Sequence, residues 1–512
     1  MVSARAQVTS PGVGLSGMAV WVPPYRVDLD RWCEWTRNDP AKLHAVVGRA
    51  FRMAGPDQNV YTLAANAVLR LLARYAIDPG RVGYLALGTE SSVDNAAGAV
   101  IVRGLVDAAL AAQGRPALAR ACEVPEFKHA CLGGVYALKG GLRYLACDGR
   151  NRQAIVVSAD MAEYARGSSG EPTQGAGAVA MLLESAPRLM QFDLAGGGSA
   201  SAYRELDFRK PFLRFAGQVP GRHGRLRDEP VFNGKYSTDC YTEATLCALD
   251  ALCARRAGSR NAWMRGLGAV FMHRPYHRMP RNAWAMAYLA ALAHDAEHGD
   301  HAAADGLAGY CAAAGVTQEA VTSEWRLGVR ACGADSLPAD AYPAASALLK
   351  VFRKTPAYRQ VVEDKLRAGS AAMLELGNLY TAALPAWLAA GLEDAAVNAV
   401  ALEGRELLLL GYGSGDAAEA IPARLVPGWQ AAARAIGFRA ALAGAVDLER
   451  DAYVSLHDAG TLDAVHRVAS AGVVIDHVGT HDDASFHDYG VAYYRYAGAD
   501  LASPEAGVDH AA

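Results

Sequence analysis

Long apolar runs are missing from this 512-residue chain: no stretch of about 18 apolar residues offers a membrane span. The opening residues, MVSARAQVTSPGVG, lack the apolar core of a secretion signal. Charge of one sign is also scarce. A net charge of −3 gives no global pull towards nucleic acid or an anionic membrane, so any anion recognition must be local. Nine cysteines, an odd number with no CxxC pair, build neither a disulfide framework nor a zinc ribbon, and reduced thiols are expected. No clean internal repeat is visible. These absences predict a soluble, cytoplasmic protein with no nucleic-acid or membrane partner.

With 52% hydrophobic residues the chain can bury a large core, and roughly 100 to 200 residues per domain suggests two to four structural units. Short apolar runs alternate with longer helical patterns, as in a layered α/β protein. The strand candidates are GLSGMAVWV, VGYLALGTE, QAIVVSAD, GAVAMLLES, GLGAVFMHR and ELLLLGYGSG. VYTLAANAVLRLLARYAI and NAAGAVIVRGLVDAALAAQ read as helices between them. Several strands run directly into polar residues: Glu90, Asp160, His273 and the GYGSG segment. Sites in open α/β sheets are built at such carboxyl ends.

Two regions stand apart. Residues 204–228, RELDFRKPFLRFAGQVPGRHGRLRD, hold seven Lys or Arg and read as a basic loop. From about 294 to 360 the chain is polar and Ala-rich, which predicts an inserted helical segment on the surface. Within it His294, His298 and His301 have a spacing that suits a metal if helical. No carboxylate or supporting partner can be assigned to them, so they read as a solvated face and no metal is expected.

Chemistry concentrates in a few short stretches. In EFKHACLGG, residues 126–134, Cys131 precedes two glycines and an apolar-periodic run, so the thiol is expected at the start of a buried helix, whose unpaired N–H groups favour thiolate. GTESSVD, residues 88–94, sets Glu90 just past a strand end among small hydroxyl residues, where a carboxylate is suited to give and take a proton. FMHRPYHRM, residues 271–279, places His273 likewise, and GNLYT, residues 377–381, sets Asn378 before a helix. A thiol, a carboxylate, an imidazole and an amide are what acyl transfer and enolate formation from a thioester require. Taken singly each residue has an ordinary structural role in turns and cores.

In order along the chain, GTESSVD, EFKHACLGG, GEPTQGAGAVAM, GKYSTDCY, FMHRPYHRM, GNLYT and GYGSG resemble the 3-hydroxy-3-methylglutaryl-CoA synthase family of the thiolase superfamily, from about residue 12 to about residue 500. GEPTQGAGAVAM is especially close to the bacterial type. The resemblance implies a five-layered α/β/α/β/α body of two similar halves, residues 12–190 and 191–512, the second carrying the helical insertion at about 294–360 and a C-terminal extension. It also implies a homodimer that needs no metal or redox cofactor and takes acetyl-CoA and acetoacetyl-CoA as substrates. Cys131 would accept the acetyl group. Glu90 would act as general acid and base, and His273 would orient and polarise the acetoacetyl thioester, with Asn378 and backbone N–H groups near Cys131 at the developing oxyanion. Thr173, Ser237 and Ser414 match substrate-contacting positions, Arg278 replaces a lysine that contacts the CoA arm, and Asp94, Asp160 and Asp207 match supporting acidic positions.

The chain departs from the family in places. Leu132 stands where Tyr is common, which predicts an acetyl pocket with one hydroxyl fewer. A further basic position falls on Asn282, beside Arg281, and the stretch from Lys42, KLHAVVGRAFRMAG, poorly matches the segment that holds the nucleotide end of CoA. These changes leave open a relative from polyketide pathways that performs the same addition on a β-ketoacyl carrier protein, with the basic loop as its dock. Another thiolase-fold acyltransferase and a catalytically silent partner are the remaining alternatives.

Overall fold

A computed structural model describes residues 12–204, 206–207, 233–329 and 340–498. Most of the basic loop, residues 205 and 208–228, lies outside the described residues, as do 330–339 and the end of the C-terminal extension, 499–512.

The strands are β1 (Gly14–Trp21), β2 (Tyr25–Asp28), β3 (Ala50–Met53), β4 (Val82–Gly88), β5 (Glu126–Phe127), β6 (Gln153–Ala162), β7 (Gly175–Glu184) and β8 (Met190–Phe192). They continue as β9 (Gly198–Ser201), β10 (Ala269–Met272), β11 (Glu406–Gly413), β12 (Ala417–Leu425), β13 (Val446–Asp447), β14 (Val473–Val478) and β15 (Ala492–Tyr496). Ten of them form one sheet in the order β10-β11-β12-β8-β1-β7-β6-β4-β5, with β9 also on β12. β4, β5 and β6 run parallel, and so do β10 and β11.

Alternation along the strands explains the layering. In β6 and β7, Val156, Val179, Met181 and Leu183 enter one core while Ile155, Val157, Ala180 and Leu182 enter another on the opposite face. Strands buried on both faces read as continuous apolar runs, which is why these were visible in sequence. The outer core is closed by helices Val60–Arg74 and Gly98–Ala112. Helices Gly133–Ala146, mostly buried, and Ala383–Val397, almost wholly buried, fill the layer between the two parts of the sheet, and Gly234–Cys253 and Arg278–Glu297 cover the far side. The result is the α/β/α/β/α sandwich. Lys139 of the central helix meets Glu419 of β12 at 2.7 Å, with the Ser199 hydroxyl donating to the same oxygen at 2.8 Å.

The stretch expected as a surface insertion is better buried than its composition suggests. Helices His301–Ala314, Gln318–Leu327 and Pro343–Phe352 pack on Arg278–Glu297 and place Leu307, Cys311, Val321, Leu348 and Phe352 in the main core. His294 and His298 stack on each other at 4.0 Å, and no group of three or more His, Cys, Asp or Glu positioned to hold a metal occurs among the described residues. No described helix is long and apolar enough to cross a membrane.

Candidate active site

The strand ends β4, β6, β10 and β11 converge on one cavity of about 290 Å³. Cys131, Thr173, Ser237, His273, Asn378 and Ser414 all line it. They come from six separate segments of the chain, joined only by the fold.

Asp160, fully buried near the end of β6, organises the floor. One carboxylate oxygen accepts from the Thr89 hydroxyl (2.8 Å), the Glu90 N–H (2.9 Å), the Ser91 N–H (3.0 Å) and the Ser91 hydroxyl (2.7 Å). The other accepts from the Thr381 N–H at 2.9 Å and from the Thr381 hydroxyl. Burial pushes this carboxyl up, against the pull of the Thr381 and Ser91 hydrogen bonds. Asp160 thus locks the turn carrying Glu90 to the turn carrying Asn378 and Tyr380.

Cys131 stands one residue ahead of Leu132, which caps helix Gly133–Ala146. Ala130 before it adopts φ +39°, a left-handed conformation that costs an L-residue roughly 1–2 kcal/mol. The Cys131 thiol donates to Glu90 Oε1 at 3.3 Å, and both residues are only 7% exposed. Burial, then the charges of Glu90 and Asp160, push the thiol well above its ordinary pKa. The expectation of a resting thiolate is therefore overturned: a helix end contributes about 0.3–1 kcal/mol, and a carboxylate in contact with the sulfur opposes it. The N–H groups of Leu132 and Gly133 are also already spent on His129 O (2.9 Å) and Ala130 O (3.4 Å), so neither is free for an oxyanion as expected.

His273 follows β10 directly and is buried, its N–H donating to Leu410 O at 2.8 Å. Tyr412 stacks beside its ring at 6.3 Å, and the Tyr241 hydroxyl donates to its carbonyl at 2.7 Å. Burial lowers its pKa to about 3, so the imidazole is neutral and donates through a single N–H. Its Nδ1 has no hydrogen-bond partner among the described residues.

Asn378 is fixed at both ends. Its N–H donates to Thr173 O at 2.9 Å, and its Oδ1 accepts from the Tyr380 N–H at 2.9 Å, which leaves the amide nitrogen facing the Tyr164 hydroxyl. Behind the other wall, buried Asp207 accepts from the Tyr412 hydroxyl at 2.9 Å and the Gly415 N–H at 3.3 Å beside Ser237 and Ser414. Burial raises its carboxyl, and hydrogen bonds from Ser237 and Tyr412 oppose the rise.

Five predicted residues are not among those lining the cavity: Glu90, Asp160 and Asp207, which reach it through the contacts above, and Asp94 and Arg278. Asp94 sits on the far side of the Glu90 turn, accepting from the Tyr61 hydroxyl and the Ala97 N–H. Arg278 is exposed on the first turn of helix Arg278–Glu297, next to Met279, which lines the cavity.

Sequence comparison bears on this arrangement. The family model described as hydroxymethylglutaryl-coenzyme A synthase N terminal matches residues 10–187. A hydroxymethylglutaryl-CoA synthase of Enterococcus faecalis is 36% identical over 180 residues, 35% of this chain and 44% of that protein. One from Haloferax volcanii is 26% identical over 457 residues, 87% of this chain and 91% of that protein. The solved structure of MvaS in complex with 3-hydroxy-3-methylglutaryl coenzyme A has a TM-score of 0.72 at 26% identity, covering 95% of this chain and 99% of that one. The chain is similar to hydroxymethylglutaryl-CoA synthases, in its N-terminal part by family model and along most of its length by the Haloferax protein and MvaS. The match to the Enterococcus protein spans less than half its length, whereas the other two are covered almost fully.

With the fold of those synthases, the chain differs from expectation at Leu132. The side chain is fully buried in the central layer against Gly411 and Gly413, so it forms no wall of the cavity and no hydroxyl is lost there. Hydroxyls come instead from Tyr164 and Tyr380, which pack around Cys131 with Ala162, and from Tyr412. Sequence reading missed all three as site residues. Tyr380 and Tyr412 lie inside motifs already singled out, whereas Tyr164 had only its nearness to Asp160 as a signal.

A group of cations was also missed. Arg274, Arg278, Arg281 and Arg353 cluster around the start of helix Arg278–Glu297 and have no carboxylate partner among the described residues. Burial and its neighbour Arg281 press Arg274 down to about 9. The Arg353 guanidinium donates to Asn282 at 2.6 Å, so a base from a distant helix stands beside the position where the expected one is absent. A second cavity, about 690 Å³, adjoins the first through Val46, Val47 and Ser169 and is lined by Trp32, Trp35, Lys42 and Tyr453. The poorly matched stretch from Lys42 therefore borders the site after all.

Proposed function

We propose that this chain is a hydroxymethylglutaryl-CoA synthase, joining an acetyl group carried on Cys131 to acetoacetyl-CoA to give 3-hydroxy-3-methylglutaryl-CoA. The observation that carries the reading is the Cys131 thiol donating to Glu90 at 3.3 Å inside a cavity that a neutral His273 and Asn378 also face.

In the first step Sγ attacks the acetyl carbonyl, the donor's C–S bond breaks, and the released carrier thiol leaves with the proton that Cys131 gave up. Glu90 then removes a methyl proton from acetyl-Cys131, and the amide of Asn378 and the Tyr164 hydroxyl, both on the cavity wall, serve as donors for the enolate oxygen. The enolate carbon attacks C3 of the acetoacetyl thioester, whose ketone is polarised by the neutral imidazole of His273. Glu90 returns its proton to the new C3 oxygen. Water hydrolyses the thioester to Cys131, restoring the thiol and releasing the product carboxylate. The steps are acyl transfer, proton transfer and a carbon–carbon addition with no external oxidant or reductant, so the account needs no metal or redox cofactor.

Thr173, Ser237 and Ser414 contact substrate in this account, Asp160 and Asp207 hold its floor and wall, and Asp94 steadies the Glu90 turn from outside. The unpaired arginines at the mouth, Arg278 among them, suit an anionic carrier, and the second cavity gives its arm room. The protein acts in the cytoplasm as a homodimer, in the mevalonate route to isoprenoids.

Purified protein should form the product from acetyl-CoA and acetoacetyl-CoA. Turnover only when an acyl carrier protein bears one of the two thioesters would move the reading to polyketide β-branching, and no turnover with either would refute both.

A further inference from the structure

The loop from Tyr164 to Gln174 supplies Tyr164, Ser169, Gly170 and Thr173 to the cavity, but it is gripped from outside by helix Arg450–Ala459, nearly 300 residues away in sequence. His457, buried, sets Nε2 at 2.9 Å from Tyr164 O and Nδ1 at 2.8 Å from Asp458 Oδ1. Asp458 in turn accepts a fork from Arg166, at 2.9 and 2.5 Å. Tyr453 of the same helix donates to Glu171 at 2.6 Å and accepts from Gln174 at 3.3 Å, and Gln174 accepts from the Tyr164 N–H at 3.2 Å.

Both ring nitrogens of His457 thus face acceptors. A backbone carbonyl has only lone pairs to offer. Burial would raise the Asp458 carboxyl, but Arg166 and His457 outweigh it and hold it below its ordinary value, so it too accepts. Making both contacts at once requires both ring protons, and a neutral ring keeps only one. The groups facing His457 are Asp458 and the Tyr453 ring at 5.6 Å on its own helix and the Tyr164 carbonyl on the loop, with Arg166 and Glu171 beyond them.

We infer that His457 and Asp458 are positioning residues for the active-site loop: His457 spans from the Tyr164 carbonyl to Asp458 and so clamps the loop to helix Arg450–Ala459. Losing either arm loosens the loop, and substrate binding weakens before the chemistry at Cys131 does. The functional half of this inference rests on the reading of the cavity as the synthase site.

Hydrogen-exchange mass spectrometry on the full chain tests the clamp without reference to catalysis. At one pH, His457→Gln, which keeps a single donor, and Asp458→Asn should each speed exchange across 162–174 by about tenfold, the effect of a lost charged hydrogen bond, with β7 beyond the loop unchanged. Asp458 lies at the surface, so its variant keeps the test open if His457→Gln fails to fold. Wild-type exchange in the loop of the folded variants would overturn the proposal. In turnover, both variants should raise KM for the acetyl thioester about tenfold with kcat within about twofold. An unchanged KM, or a loss confined to kcat, would overturn the positioning role. Faster exchange in a chain that turns over no thioester would uphold the clamp and refute the synthase reading instead.

Discussion

At Cys131 the charge of Glu90 does two opposing things: it accepts the thiol proton, and it holds that thiol up. Replacing Glu90 by Gln removes the charge, so Cys131 should ionise at lower pH, and its alkylation by iodoacetamide, read on the Cys131 peptide, should shift its pH profile downward. An unchanged or upward shift would contradict the arrangement. The same variant should still accept acetyl but form no carbon–carbon bond, whereas Cys131→Ser should accept none. His273 makes a prediction about stability. Its folded pKa of about 3 lies below the ordinary value of about 6.5. Between those values the unfolded chain binds a proton there and the folded chain does not. Its contribution to stability is therefore full above about pH 6.5 and falls with pH by about 1.4 kcal/mol per unit. His277, lowered to about 3 by burial and by Arg274 and Arg281, adds a second such proton. Urea unfolding of His273→Asn across this range should show a slope smaller by one proton, and an identical slope would count against a neutral buried imidazole.

Elements were legible in sequence where burial made them continuous. The six apolar runs became β1, β4, β6, β7, β10 and β11, because each is covered on both faces. β12 was not visible, since AAEAIPARL is rich in Ala and contains Pro422. The structure tolerates that proline because β12 pairs with β9 through Ala417–Ala420 and with β8 from Ala423 onward, so the missing N–H falls at the seam. Close approach is a second feature that spacing alone hides. A Cβ on Gly134 would lie 2.2 Å from Ser158 Oγ and 2.9 Å from Thr381 O, directly behind the Asp160 network. Gly134→Ala should cost about 1–3 kcal/mol by overpacking and lower single-turnover condensation by displacing Thr381. Calorimetry and a rapid-quench assay would check both, and wild-type values would mean the contact has slack.

At the scale of the whole molecule, the site exists only because the two parts of the sheet close on the central helices. Lys139 and Glu419 tie the central helix to β12 through a buried ion pair. Lys139→Met should destabilise by about 3–5 kcal/mol because it strands the Glu419 charge, and adding Glu419→Leu should recover most of that loss. Failure of the double variant to recover would show that the pair is needed in its own right. Local motifs announced Cys131, Glu90, His273 and Asn378, since small residues and strand ends leave a mark in sequence. Arg353 and His457 left none and Tyr164 only its nearness to Asp160, because their partners are set by packing between distant helices and loops. The direct test of the central claim is a chase experiment. Protein mixed with acetyl-CoA would be digested and the Cys131 peptide weighed, before and after a pulse of acetoacetyl-CoA. An acetyl group on Cys131 that disappears as 3-hydroxy-3-methylglutaryl-CoA forms is the predicted result. An acetyl group on another residue, or one on Cys131 that is lost only as free acetate, would contradict it.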